Sequence, residues 1–229
     1  MSNTEIKKRA RQVLKGYWGK AISLTFILGL LVILLPAVVV AVVEIYLSGG
    51  FEAWFNTDST PLASDVFSTI LSILTTPLTI ASLWFYLSIS RKETPSLSNV
   101  FGIYRDGRTS FKTIIACYWM FLLTILWSLL LIVPGIIKSF SYSQTYFILK
   151  DHPSYTVNEA ITESRKMMDG LKNQYFTLCL SFIGWGILSL LTLGIGFLWL
   201  VPYIQTCLAV FYSEAAAKQN NSTTETITP

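Results

Sequence analysis

Charge and apolarity are segregated along this chain. No Asp, Glu, Lys, Arg or His occurs in residues 22–43, 66–90 or 173–213, and residues 113–149 are interrupted only by Lys138. A run of about 18 or more apolar, uncharged residues reads as a membrane-spanning helix. The last two runs are too long for one crossing, because a helix rises about 1.5 Å per residue and the hydrocarbon core is about 30 Å thick. Each is therefore expected to cross twice, turning at Pro134–Gly135 and at the Gly194–Gly196 pair, where Gly and Pro permit a sharp reversal. With spans over 22–47 and 66–90, the pattern predicts an all-α membrane protein with six transmembrane helices.

Between the runs the polar segments are alike. Residues 2–17 place Ile6, Ala10, Val13, Leu14 and Tyr17 on one helical face, with Ser2 and Glu5 spaced as a capping box. Residues 95–104 do the same with Leu97, Val100, Phe101 and Tyr104, and residues 155–169 with Val157, Ala160, Ile161, Ser164 and Met168 behind a Thr156/Glu159 box. Each stretch ends at a glycine, Gly16, Gly107 or Gly170, and leads into a span. Gln144-Thr145 and Gln205-Thr206 each follow a turn glycine, the glutamine lying nine residues after Gly135 or Gly196. The unit is an amphipathic helix plus a helical hairpin, used three times (about 2–90, 95–150 and 154–214) in one membrane domain, 1–214. The first unit is the most divergent, and residues 215–229 read as a disordered cytoplasmic tail.

The cations orient these units. Lys7, Lys8, Arg9, Arg11, Lys15 and Lys20 precede the first span; Arg91, Lys92, Arg105, Arg108 and Lys112 follow the second; Lys150, Arg165, Lys166 and Lys172 follow the fourth; Lys218 lies in the tail. The first outer loop holds Glu52, Asp58 and Asp65 and no Lys or Arg. The positive-inside rule then puts both termini in the cytoplasm, which rules out glycosylation of the Asn220 and Asn221 sequons. Lys138 is the one exception among 17 Lys and Arg residues, and it is expected to snorkel at the outer boundary. Short basic amphipathic helices suit an anionic leaflet, and anionic membrane lipids are the expected partners, contacted through Lys7, Lys8, Arg9, Arg11, Arg91, Lys92, Arg105, Arg108, Arg165 and Lys166. The same helices also serve as elbows that set the entry angle of the next span.

Composition agrees: 52% of residues are hydrophobic and 13% charged, against about 25% charged in soluble domains. Chemistry is sparse. His152 stands alone among loop residues, and Cys117, Cys179 and Cys207 lie in apolar runs without metal or redox spacing. No HExxH, GxSxG or P-loop pattern occurs, so no enzymatic activity and no cofactor is expected. Cations divided among membrane-flanking segments exclude a nucleic-acid surface. Glu44 is placed near the outer end of the first span. Gln144 and Gln205 suit helix–helix hydrogen bonding, or, together with Lys138, contact with a polar ligand.

The stretches VLKGYWGKAI, PLTIASLWFYLSISRKE, LIVPGIIKSFSYSQTYFIL, NEAITESRKMMDG and LSFIGWGILSLLTLGIGFLWLVPYIQT together resemble the DUF975 family of integral membrane proteins of unknown function, found mostly in Gram-positive bacteria. The resemblance covers about residues 6–212 and implies a multi-pass bacterial plasma-membrane protein, without supplying a substrate or catalytic residue. The family is also similar to the membrane domain attached to some glycerophosphodiester phosphodiesterases, which implies lipid or envelope biology. The expected function is non-enzymatic handling of lipid or amphipathic molecules, or protection against them. The alternatives are a small-solute or peptide transporter with a midplane polar site, and a scaffold or immunity-type protein that binds a membrane-protein partner.

Overall fold

The computed structural model describes residues 2–56 and 62–225, which leaves Asp58 and residues 226–229 outside the described residues. Among the described residues every regular element is helical. Helix α1 (Asn3–Leu14) starts at a complete capping box, in which the Glu5 amide donates to Ser2 Oγ (3.3 Å) and the Ser2 amide to Glu5 Oε2 (2.6 Å). Gly16, at φ +97°, reverses the chain into α2 (Trp18–Leu28). A π-helical segment (Gly29–Leu34) joins α2 to α3 (Leu35–Leu47), and the three form one continuous apolar helix of 30 residues. Short α4 (Phe51–Phe55) leads towards α5 (Leu62–Ser90).

Helix α6 (Leu97–Phe101), capped by Ser96, continues as a 3-10 turn to Arg105. Asp106 then caps α7 (Gly107–Leu130), so Gly107 opens the span instead of closing the elbow. The chain reverses at one extended residue, Leu131 (φ −161°, ψ 138°). This corrects the expected turn at Pro134–Gly135, which lies inside the first turn of α8 (Ile132–Tyr142). Proline fits there because the first amides of a helix have no partner to lose. After a break at Ser143–Gln144 come α9 (Thr145–Asp151) and the Thr156-capped α10 (Val157–Met167). The last unit comprises α11 (Lys172–Leu180), α12 (Ile183–Leu191) and α13 (Phe197–Glu225). Here the reversal does use the predicted glycine, with Leu193 at φ +54° and Gly194 at φ +85°.

Among the described residues, four stretches are long and apolar enough to cross a membrane: Trp18–Leu47, Leu62–Ser90, Gly107–Leu130 and Lys172–Leu191. The expected unstructured tail is helical as far as Glu225. Alanines 215–217 and Lys218 are strong helix formers, and Ala215 is buried against the core.

The amphipathic helices α1 and α10 spend their apolar faces inside the protein, whereas the α6 segment buries Val100 and leaves Phe101 and Tyr104 exposed. Helix α6 packs on α5, the helix before it, and α10 packs on α9, whereas α1 packs chiefly on α13. Ile6, Ala10, Val13 and Leu14 are buried, as are Val100, Ala160 and Met168. They join the second half of α5, α9 and the middle of α13 in one core. Burying a Val, Leu or Ile side chain stabilises by about 1.5–3 kcal/mol relative to water. From this core the apolar hairpins extend outwards with large side chains exposed, such as Val42 (59%), Leu129 (83%) and Leu191 (75%). An apolar surface of this extent requires a lipid or partner covering.

Two hairpins close in the same way. A Cβ on Gly135 would lie 2.8 Å from Ser128 Cα, and one on Gly196 would lie 2.8 Å from Ser189 Cα. Because backbone is what stands in the way, Gly135→Ala and Gly196→Ala are each expected to lower the Tm of the detergent-purified protein, with an overpacking cost of about 1–3 kcal/mol. Gly184→Ala, whose Cβ meets nothing within 4 Å, should hold or slightly raise the Tm, since alanine is the better helix former. Thermal unfolding of the three variants beside the parent checks this.

Candidate functional site

The predicted contact residues fall into three groups. On α1, Lys8 is exposed on the outer face, and Arg9 pairs with Glu214 of α13. Lys7 Nζ stands 4.9 Å from the centre of the Phe182 ring. Arg11 donates from Nε to Tyr203 Oη (3.1 Å) and lies over the same ring. Lys7, Lys8, Arg11 and Lys15 line an open basic cleft of about 540 Å³. Arg11 also borders a second, apolar cleft of about 550 Å³, lined by Trp18, Trp185, Trp199, Tyr203 and Ser189.

The second group lies between α5 and α7. Arg91 makes a two-point ion pair with Asp151 (2.7 and 2.5 Å), and Tyr212 Oη donates to the same carboxylate at 2.7 Å. Burial pushes the Asp151 carboxyl up, but the hydrogen bonds from Arg91 and Tyr212 outweigh it and hold the group below its ordinary range. The bond to Asp151 in turn raises Arg91. Arg91 thus ties the end of α5 to the end of α9, a structural duty that its place in a basic segment did not disclose. Lys92, Arg105 and Arg108 are exposed, and Lys92 adopts φ +62° just past the end of α5.

The third group contains Lys138. The sequence set this residue apart from the other cations; the fold brings it among them. Helix α10 lies beside α8 and α9, with Ser164 Oγ donating to the Ser141 carbonyl (2.7 Å) and the Gln144 amide donating to Ser164 Oγ (3.2 Å). This contact aligns Arg165 and Lys166 with Lys138. Together with Lys172 at the start of α11, they line an open cleft of about 380 Å³ in which Asp169 is the lining carboxylate. Lys138 Nζ also stands 4.5 Å from the centre of the Trp127 ring, within cation–π range.

Both glutamines sit within helix contacts. Gln144 is fully buried at the α8–α9 break and donates from Nε2 to Ser143 Oγ (2.7 Å); Gln205 is half-buried in α13. Neither lines the clefts described above, and the Oε1 atom of each is buried without a hydrogen-bond partner. Glu44 accepts from Trp54 Nε1 (3.1 Å) and borders a separate cavity of about 490 Å³, faced by Ser68, Ser72, Thr75 and Thr79 of α5. His152 stacks on Tyr155.

The chain belongs to the DUF975 family, proteins of unknown function, whose family model matches residues 1–138 and 109–219. No curated protein and no solved structure matches it.

The capping boxes that orient α1 and α10 titrate. Glu5 and Glu159 are held below the ordinary glutamate value, first by the backbone amides of Ser2 and Thr156 and then by the hydroxyls of the same residues. A carboxylate with a lowered pKa stabilises the fold above its unfolded value, and that contribution is lost as pH falls through the folded value. The Ser2 and Thr156 amides, which donate to these carboxylates, should therefore lose protection, relative to the intrinsic exchange rate at each pH, as pH falls through the lowered glutamate value. In Glu5→Gln and Glu159→Gln, which have no carboxylate to titrate, the protection of these amides should not change over the same fall in pH.

Proposed function

We propose that this protein is a non-enzymatic, multi-pass protein of the bacterial plasma membrane that handles lipid or amphipathic molecules of the envelope, or protects against them. In this reading six helices cross the membrane as three repeated units, both termini are cytoplasmic, and the elbows engage anionic lipid. The observation that carries it is the division of labour on the elbows. The α6 segment buries Val100 but leaves Phe101 and Tyr104 exposed beside Arg105 and Arg108; on α1 and α10 the apolar stripe is consumed by the protein core, while Lys8, Arg165 and Lys166 remain exposed. An elbow built this way meets a membrane through charge, and its grip is tuned by lipid headgroups and salt rather than by insertion. The repeat is supported by the N-caps Ser2, Ser96 and Thr156, and by the two serine–glycine closures 61 residues apart.

Reversing two elbow cations tests the reading. Each basic residue near an anionic surface contributes about 1 kcal/mol. Arg105→Glu with Arg108→Glu should therefore lower co-purification of anionic lipid by about tenfold and weaken resistance to envelope stress, with the fold intact. Unchanged lipid content and phenotype in a folded variant would overturn it.

A second reading, a polar solute path, is favoured by the two unpartnered glutamine oxygens. On that reading Gln144→Met with Gln205→Met abolishes the envelope phenotype while lipid retention holds. On the leading reading the phenotype survives and Tm rises, because an unpaired buried acceptor costs about 1–3 kcal/mol.

A further inference from the structure

We propose that the cleft around Lys138 and Arg165 binds a doubly charged phosphate group, either the phosphomonoester head of a lipid or a free diphosphate. The inference deepens the lipid-handling reading and rests on it for the lipid arm.

The cleft gathers Lys138 from α8, Arg165 and Lys166 from α10, and Lys172 from α11, with the hydroxyl-bearing Ser141 and Thr162 beside them. Four cations from three helices converge there, and Asp169 is the one carboxylate in the lining. Counter-charge from the protein is thin. Lys166 approaches Glu163 at 3.5 Å within α10 and Lys172 approaches Asp169 at 3.7 Å across the α10–α11 link, each pair three residues apart and with one partner largely exposed (Lys166 68%, Asp169 86%), where such pairs contribute little. Like charges held together repel, and an anion with two charges relieves the repulsion better than one with a single charge. A phosphomonoester carries close to two charges at neutral pH, and a guanidinium flanked by ammonium groups suits its oxygens.

The cleft around Arg11 provides an internal comparison. Arg11 and Arg165 each lie nine residues after an N-cap, Ser2 and Thr156, and the following glycines, Gly16 and Gly170, both have positive φ. Each arginine faces a helix that returns from a serine–glycine closure. Counting from the same landmarks, Trp18 corresponds to Lys172 and Trp199 to Lys138. In one cleft, then, aromatic rings surround the arginine, and in the other, lysines hold those places. A scaffold that needed the cations only as membrane anchors could have kept tryptophan at both positions, since either residue anchors at the boundary. Converging them on an arginine is what an anion requires. Ile136, Ile137 and Phe176 beside the cleft are exposed, and they provide an apolar flank for the chains of a lipid-borne phosphate.

The test uses the full-length protein in nanodiscs of phosphatidylcholine containing equal amounts of phosphatidic acid and phosphatidylglycerol, with retained lipid counted by native mass spectrometry. The parent is expected to prefer phosphatidic acid, a phosphomonoester, by about tenfold over the singly charged phosphodiester. Lys138→Gln with Arg165→Gln should abolish that preference, whereas Arg105→Glu with Arg108→Glu lowers both lipids alike. Equal retention of the two lipids by the parent, or a preference that survives in the folded Lys138/Arg165 variant, overturns the lipid arm. The charge-reversal result still judges the broader reading by itself. In detergent, pyrophosphate that raises the Tm of the parent and not of the variant assigns the cleft to free diphosphate; no effect of either probe overturns the site. Size-exclusion chromatography reports folding. Should the double variant fail to fold, the exposed single variant Lys166→Gln takes its place and is expected to reduce the preference about threefold.

Discussion

The contact on which the architecture depends joins the first helix to the last. The stripe of Ile6, Ala10, Val13 and Leu14 on α1 packs on α13, and Arg9 reaches Glu214 across almost the entire chain. The other two elbows pack on helices next to them in sequence, contacts that any local segment could make. The packing of α1 adds a long-range contact to the core that α5 and α13 share. Arg91 on Asp151 adds a second tie across that core, between the ends of α5 and α9. Loop-closure entropy opposes a contact between chain ends, and several fully buried side chains on α1 offset it.

Closure in the inner layer explains why the hairpins can be so exposed. Their outer halves make few contacts with one another, and large apolar side chains cover their surface. Within a hairpin the two helices are brought together by a glycine that lets backbone approach a serine on the opposite helix, a means of association suited to lipid, where there is no hydrophobic drive between helices. The protein therefore uses two kinds of cohesion: apolar burial in the shared core, and close backbone approach within two of the exposed apolar hairpins.

Much of this was legible in the sequence, and what was missed has definite causes. Helix type, the capping boxes of Ser2 and Thr156, and the glycine reversal at Gly194 follow from local signals that act within a few residues. The turn at Leu131 was misplaced because Pro134 and Gly135 signal a break and also a first helical turn, and composition does not separate the two. The tail was misread because its run of helix formers, residues 215–218, is short, and the core contact that anchors the run at Ala215 is not a local signal. The destination of the apolar stripes was also hidden. A hydrophobic face at helical spacing fits a leaflet or a protein groove equally well, and only the fold shows that α1 and α10 use theirs inwardly while the α6 segment buries Val100 and leaves Phe101 and Tyr104 exposed. For the candidate site the cations were identified singly, while their grouping depended on α10 lying beside α8, through Ser164 and Ser141.

Lys138 illustrates how an isolated charge acquires a context. Its partners come from a helix that ends about thirty residues later in the chain, and they reach it because the elbow packs back along the hairpin instead of leaving it. The same backward packing places Arg11 beside Trp199. Side chains at corresponding points of one scaffold thus meet two different chemistries, an aromatic one suited to acyl chains or rings and a cationic one suited to phosphate. Since the backbone at both points is held by the same devices (a capped elbow, a positive-φ glycine and a serine–glycine closure), the difference between the clefts resides in a few side chains. Such a scaffold can hold the two ends of an amphipathic molecule in separate places without any change of fold.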